Sequence, residues 1–274
     1  MDWTEQAKAL QEGNSRRVNC PFCGTPSKNT AKLQHKDTGV SIFCFSCKES
    51  RFKGHGARSI SALKLRFAFN VANAWHQEPV IKLPLDFTLD IPEQHALWLY
   101  KSSVFSTTAK DYGIGWSDSM QRVVIPVYND SALVYTQARA VHPGMKPKYL
   151  NKKNASKSSV YFESKESTFK VVPEDTCCLV EAALSVIRCG WYCKTFSALG
   201  SDLTDSLAYK LSKYKQVLVW YDPDKAGAEG TAKAVRKLSM LGCSAIKIAT
   251  NKKPKEYTNS EIQEIITKAY ARRH

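Results

Sequence analysis

Apolar and polar positions follow one another differently in three stretches of the chain. From Thr176 onward, short apolar runs alternate with helical periodicity. Thr176-Cys177-Cys178-Leu179-Val180-Glu181 reads as a buried strand, and Ala182 to Arg188 as the helix after it. Lys194-Thr195-Phe196-Ser197 is a second strand, followed by a helix from Thr204 that repeats Leu203, Leu207 and Leu211 on one face. Gln216 to Tyr221 is a third strand. Its helix is expected to bury Ala228, Ala232, Val235 and Leu238 and to stop at Gly242. Ser244 to Ala249 is a fourth strand, and Thr258-Asn259-Ser260-Glu261 forms a capping box for a last helix on Ile262, Ile265 and Ile266. Such alternation predicts an α/β fold, a mostly parallel sheet with helices on both faces. Ligands in such sheets sit beyond the carboxyl ends of the strands.

The stretch from about 92 to 173 has a mixed α+β pattern. It opens with a helix on Ala96, Leu99 and Tyr100 and turns to strands at Arg122–Tyr128 and Ala132–Arg139. Asn129-Asp130-Ser131 suits the turn between these strands. Before it, an apolar and basic run, Ile60 to Trp75, leads into an extended connector, His76 to Pro92, punctuated by prolines. The expected division is 1–56, a linker at 57–91, a basic subdomain at 92–173 and the α/β domain at 174–274.

The first block contains Cys20-Pro21-Phe22-Cys23 and Cys44-Phe45-Ser46-Cys47, two C-x-x-C pairs separated by 20 residues. Four thiolates in two tight knuckles suit one tetrahedral zinc ion in a zinc-ribbon β domain. Lys32–His35 and Val40–Phe43, with Asp37-Thr38-Gly39 between, supply the hairpin. Arg16, Arg17, Lys28, Lys32, Lys36, Lys48, Arg51 and Lys53 surround the knuckles. Phe22, Phe43 and Phe45 are candidates for stacking on bases, although each taken singly is expected to pack in the small core. His35 reads as a base reader or a spectator, and since no fifth zinc ligand is needed a spectator is expected. The other five cysteines (Cys177, Cys178, Cys189, Cys193, Cys243) lie in apolar segments and read as core filler in a reducing compartment.

Charge changes the picture. The 274 residues carry 40 Lys+Arg against 25 Asp+Glu, a net +15, which implies a polyanionic partner. No apolar run is long enough to span a membrane, and the first residues lack a secretion-signal layout, so nucleic acid is the expected partner. Residues 131–162 hold six Lys/Arg and no acid, as a phosphate-facing surface requires.

Three acids stand out against this basic background. Asp222-Pro223-Asp224 follows an apolar strand and opens a helix, and Glu181 ends another strand among apolar neighbours. Carboxylates on one sheet edge suit magnesium or manganese, hard cations that keep water and phosphate as further ligands. Singly, Asp222 reads as a turn former and Asp224 as a helix N-cap.

Strand-Glu181 followed by strand-Asp222-Pro-Asp224-Lys225-Ala-Gly resembles the TOPRIM domain of primases, some topoisomerases and certain nucleases. A four-cysteine ribbon, a basic block and then TOPRIM resembles DnaG-type primases, especially the primase half of phage primase–helicases. Phe105–Trp116, Arg122–Pro126 and Pro147-Lys148-Tyr149-Leu150-Asn151 resemble phrases of that family's basic subdomain. The resemblance implies metal at Asp222 and Asp224, and metal binding or proton removal from the attacking 3′-hydroxyl at Glu181. It implies template or triphosphate contacts at Arg122, Arg139, Lys146 and Lys148. Lys225 is a further expected nucleotide or nucleic-acid contact, and Lys253, which follows the fourth strand beside the three acids, is expected near the triphosphate. Two positions depart from the pattern: Ser185 stands where many relatives have an acid, and Lys252-Lys253-Pro254-Lys255-Glu256-Tyr257 has lysine where an aspartate is common. The expected activity is DNA-directed RNA polymerase: short RNA primers made from ribonucleoside triphosphates on single-stranded DNA. The chain has no G-x-x-x-x-G-K-[ST] phosphate loop, so the expected partners include a separate helicase and a DNA polymerase. The family's architecture implies a cytoplasmic protein, in a bacterial host if phage-encoded. A TOPRIM nuclease and a catalytically degenerate single-stranded DNA-binding module are the alternatives.

Overall fold

The computed structural model describes residues 2–23, 29–36, 39–54, 64, 81–129, 132–151 and 160–272. They fall into two units, Met1–Ser59 and Ile60–His274.

In the first unit a short helix, α1 (Trp3–Lys8), accompanies a four-stranded antiparallel sheet, β1 (Ser15–Val18), β2 (Ala31–Lys36), β3 (Gly39–Cys44) and β4 (Ser50–Gly54), in chain order. β2 and β3 are the expected hairpin, with Ala31 opposite Cys44 and Lys36 opposite Gly39. Asp37 and Thr38 of its expected turn, and Lys28, lie outside the described residues. The outer strands and α1 were not legible in the sequence pattern. Strand alternation turns Ala31, Leu33, Val40, Ile42 and Cys44 inward onto Ala7 of α1. The same alternation corrects one expectation. Phe43 lies between Ile42 and Cys44 and points outward, and Phe22 and Phe45 are exposed as well. The three rings are surface groups, not core.

The second unit contains two sheets. The first is antiparallel, ordered β5 (Phe87–Thr88), β6 (Gly115–Ser117), β7 (Arg122–Asn129), β8 (Ala132–Ala140) and β9 (Tyr149–Asn151). Helices α2 (Glu93–Tyr100) and α3 (Ser106–Asp111) precede β6. β7 and β8 form the expected hairpin, with a register shift at Val127/Tyr128. Asp130 and Ser131 of its turn lie outside the described residues, as do the run 60–75 apart from Lys64 and the start of the connector. As expected, α2 buries Ala96 and Leu99.

The second sheet runs β10 (Phe162–Glu163), β12 (Lys194–Ser197), β11 (Thr176–Val180), β13 (Gln216–Trp220), β14 (Ser244–Lys247). All neighbours are parallel except the edge pair β10–β12. Helices α4 (Ala183–Cys189), α5 (Asp205–Leu211) and α6 (Lys225–Met240) connect the parallel strands, and α7 (Asn259–Ala271) closes the domain. The expected α/β alternation is present, and the capping box at Thr258 and Glu261 is formed. The edge strand β10 is an addition that lies before the segment expected to contribute to this sheet.

Burial on both faces explains the continuous apolar strands. Cys178 and Val180 of β11 face one core with Leu184, Ile187, Leu218 and Ile262, while Cys177 and Leu179 face another with Phe196, Leu207, Val217 and Leu238. The first of these cores also contains Trp116, Val123 and Ile125 of the antiparallel sheet, with Ile114 just before β6. The two sheets therefore share one interior. All five scattered cysteines are buried and free, as core filler should be.

The buried face of α6 differs from the expected one. Gly227, Gly230, Thr231, Ala234 and Leu238 are buried, whereas Ala228 and Ala232 are exposed. The cause is close approach. A Cβ at Gly227 would lie 2.1 Å from the Asp222 carbonyl oxygen, and one at Gly230 would lie 2.6 Å from that of Ser201. The glycines let the helix start sit directly on the Asp222 turn. Gly227→Ala should therefore destabilise the protein by roughly 1–3 kcal/mol, despite the better helix propensity of alanine. Urea denaturation followed by far-ultraviolet circular dichroism measures this; an increase in stability would contradict it.

Candidate functional site

In the first unit the thiols of Cys20, Cys23, Cys44 and Cys47 all lie within 4.8 Å of one another. Cys20 and Cys47 sulfurs are 3.9 Å apart, and those of Cys23 and Cys44 are 3.8 Å apart. A tetrahedron with metal–sulfur bonds of about 2.3 Å has edges of about 3.8 Å, so the donor set fits zinc. The Phe22 N–H donates to Cys20 Sγ at 3.4 Å and the Cys47 N–H to Cys44 Sγ at 3.5 Å. Burial pushes the Cys44 thiol up. The N–H groups of Cys47 and Ser46 and the neighbouring thiols outweigh it and hold it at about 6. A thiolate is the form a metal takes. His35 is bonded through Nδ1 to the Leu10 carbonyl at 2.6 Å and is not part of the cysteine group.

Beside the knuckles the arginines lie on the exposed rings. The Arg17 guanidinium is 4.1 Å from the Phe45 centroid and that of Arg51 is 4.9 Å from Phe22, while Phe43 meets Phe45 edge-on at 5.0 Å. A surface of rings and cations can receive stacked bases and phosphates.

In the second unit Val180 of β11 is paired with Trp220 of β13. The residues that follow, Glu181 and Asp222, thus leave adjacent parallel strands on the same edge. β12 lies to one side of this pair and β14 to the other, so the two acids stand at a topological switch point. Asp222 is buried, Glu181 half-buried and Asp224 exposed. Asp224 is the N-cap of α6, accepting from the Gly227 N–H at 2.8 Å. Burial raises the Glu181 pKa, and the charges of Asp222 and Asp224 raise it further.

Lys253 answers this negative charge, its ammonium donating to Asp222 Oδ2 at 2.6 Å. That bond, with the carboxylates behind it, raises the lysine's pKa. The loop carrying Lys253 is pinned. Trp220 Nε1 donates to Thr250 Oγ1 at 2.9 Å, Thr250 Oγ1 to the Lys252 carbonyl at 2.9 Å, and the Lys253 N–H to Glu256 at 3.0 Å. Glu181 Oε2 and Asp222 Oδ1 are buried and find no hydrogen-bond partner among the described residues. Two unsatisfied carboxylate oxygens on one edge are donors of the kind magnesium takes, so the residues fit that ion. Among the described residues only the cysteines bring three or more ligand atoms within 4.8 Å. The three acids are more open, with Asp222 turned to Lys253 and Asp224 to its helix.

The expected basic residues take distinct positions. Arg122 is buried, with one Nη lacking a partner. The Arg139 guanidinium lies 5.3 Å from the Trp98 ring and 4.8 Å from that of Tyr149, its Nε buried without a partner. Lys225 is exposed at the first position of α6, and Lys146 and Lys148 are exposed before β9. Lys255 was not among the expected site residues, nor was Trp98. Burial lowers the Lys255 pKa, and the charges of Lys253 and Arg139 lower it further. Lys255 also lies 5.9 Å from Trp98. The Lys252–Lys255 run was a signal for Lys255; Trp98, off the buried face of α2, gave none. Ser185 is fully buried on α4, its hydroxyl without a partner.

A family described as Toprim-like matches residues 178–258, which span the acidic edge. The RNA polymerase domain of Mycobacterium tuberculosis primase DnaG superposes with a TM-score of 0.50 at 15% identity, covering 75% of this chain and 82% of that one. Over that span the chain has the fold of the RNA polymerase domain of a DnaG-type primase. The zinc-binding and RNA polymerase domains of Aquifex aeolicus primase match at 17% identity and a TM-score of 0.48, over 98% of this chain and 83% of that one. The primase fragment of the bacteriophage T7 primase-helicase matches at 13% and 0.46, over 93% and 98%. No curated protein matches by sequence. Among the described residues of this primase fold, no helix is long and apolar enough to cross a membrane.

Two outcomes follow from these sites. Cys44→Ser should lower bound zinc well below one equivalent and loosen the first unit while leaving the second folded; metal analysis and near-ultraviolet circular dichroism report on each. Glu181→Gln should raise thermal stability at pH 8, because a carboxyl with a raised pKa is costly when ionised. The gain should shrink as pH falls through the raised Glu181 value and vanish below its unfolded value near 4.5. A gain that persisted at low pH would point to a cause other than charge.

Proposed function

We propose that this chain is a DNA primase, a nucleotidyltransferase that makes short RNA primers from ribonucleoside triphosphates on single-stranded DNA. The observation that carries the reading is the acidic edge at the strand switch point: two buried, unsatisfied carboxylate oxygens beside a cluster of cations, within a primase fold. Asp222 and Asp224 would hold magnesium or manganese, which supplies charge neutralisation to the triphosphate of the incoming nucleotide. Glu181, its proton affinity raised by burial and by its acidic neighbours, takes the proton from the attacking 3′-hydroxyl. Lys253 turns from Asp222 toward the phosphates when nucleotide enters, exchanging one anionic partner for another. Arg139, beside the rings of Trp98 and Tyr149, and Lys255 add positive charge on the same side, where triphosphate or template backbone would lie. Arg122, Lys146, Lys148 and Lys225 extend that field along the DNA. The ribbon, with its exposed rings and arginines, contributes to template recognition. A separate helicase and a DNA polymerase are the partners this activity calls for.

The second reading is a degenerate single-stranded DNA-binding module, which the Lys253–Asp222 ion pair favours because it occupies a carboxylate oxygen. Primer synthesis from labelled ribonucleotides on mixed-sequence single-stranded DNA decides between them. The wild-type protein should synthesise primers with magnesium or manganese. Asp222→Asn should reduce synthesis at least a hundredfold, roughly the loss of one strong electrostatic contact, with little change in DNA affinity. Lys253→Asp should alter the magnesium concentration needed for half-maximal rate. Full activity in Asp222→Asn overturns the catalytic assignment, and no synthesis by wild type under any divalent ion favours the binding module.

A further inference from the structure

Arg188 is 4% exposed, yet among the described residues no carboxylate pairs with it: burial lowers its pKa, and the Cys189 and Tyr192 side chains oppose this. Its Nη2 donates to the Tyr257 carbonyl at 2.7 Å, while Nε has no partner. A buried guanidinium held by one carbonyl is poorly compensated, and a buried charge without an anion costs stability.

The Tyr257 carbonyl fixes where this cation sits, because Thr258 is the N-cap of the 13-residue helix α7. Arg188 and the first residues of α7 line one open cavity of about 490 Å³, together with Ser103, Phe105 and Trp191. At the helix start the Glu261 N–H is satisfied by Thr258 Oγ1 and the Ile262 N–H by the Thr258 carbonyl. The N–H groups of Asn259 and Ser260 precede the first intrahelical acceptors and carry the positive end of the helix dipole. Glu261, the acid of this first turn, folds its carboxylate back onto Thr258 N–H and Oγ1. Arg188, tied to the residue just before the N-cap, and the start of α7 thus line the same cavity. Phe105, 57% exposed, offers an apolar ring.

We propose that this cavity is a phosphate-binding site for a nucleoside monophosphate group, distinct from the acidic edge, with the phosphate between Arg188 and the α7 N-terminus and the base against Phe105. A phosphomonoester dianion matches two converging donors of this kind. The phosphate can arrive on a free nucleotide or on the 5′ end of an oligonucleotide, since either presents the same group next to a base.

The test measures thermal stabilisation and isothermal titration of the zinc-loaded protein in buffer without magnesium or manganese, which leaves the acidic edge without its cation. Probes are inorganic phosphate, AMP and a 5′-phosphorylated deoxythymidine oligonucleotide against its 5′-hydroxyl counterpart. AMP should raise the melting temperature and bind more tightly than inorganic phosphate, and Phe105→Ala should erase that difference while sparing phosphate. Ser260→Asp places a carboxylate in the site and should reduce binding of every phosphate at least tenfold. The same change should leave the unliganded protein as stable or slightly more stable, since an acid suits a helix start. This variant keeps the test sound if Arg188→Met fails to fold. A preference for the 5′-phosphorylated oligonucleotide over AMP identifies a strand end as the source; the reverse identifies the free nucleotide. Equal binding of AMP by wild type and Ser260→Asp, or no binding by wild type, overturns the proposal. Primer synthesis is not a readout here, so failure of this site leaves the reading of Glu181 and Asp222 untouched.

Discussion

Like charges crowded at the ends of two adjacent strands set the terms for everything around them. The pairing of Val180 with Trp220 delivers Glu181 and Asp222 to the same edge, where burial strips them of water. Carboxylates in that position repel one another and are stable only if protonated or faced by cations. Both answers are visible: Glu181 has a raised pKa, and Lys253 lies on Asp222. The loop from Thr250 to Tyr257, tied to Trp220 and to Arg188, exists in its observed shape because it must carry that lysine to the edge. The glycines at the start of α6 serve the same end by letting the helix close over the Asp222 turn.

Much of this was legible in the sequence because the features are local. Apolar runs with helical spacing between them gave the parallel sheet. A pair of C-x-x-C knuckles with a hairpin between them gave the ribbon, and acids at strand ends gave the edge. What stayed hidden depends on contacts distant along the chain. The two-residue strand β10 has no period of its own and is a strand only because Phe162 and Glu163 meet Ser197 and Phe196. The buried face of α6 follows its close approach to Asp222 and Ser201, which outweighs the apolar pattern of Ala228 and Ala232. The outward turn of Phe43 follows from the pleat once Ile42 and Cys44 are committed inward. Trp98 acquired meaning only when β8 brought Arg139 over it.

The two candidate centres solve opposite electrostatic problems. In the ribbon, N–H groups and neighbouring thiols depress the Cys44 thiol toward the anionic form that a metal takes. At the acidic edge, burial lifts a carboxyl toward neutrality, leaving oxygen donors that become anionic most readily when a hard cation is near. The same chain thus prepares two metal environments by moving proton affinities in different directions.

The interior shared by the antiparallel and parallel sheets bears on how this molecule can fail. Ile114, Trp116 and Val123 pack into the same cluster as Val180 and Ile187, so removing one sheet would expose the flank of the other. The second unit should therefore melt as a single cooperative body, and a proteolytic cut between the sheets would ruin both. A partly folded unit that kept the Arg139 surface while lacking the acidic edge is therefore not a state this molecule can populate.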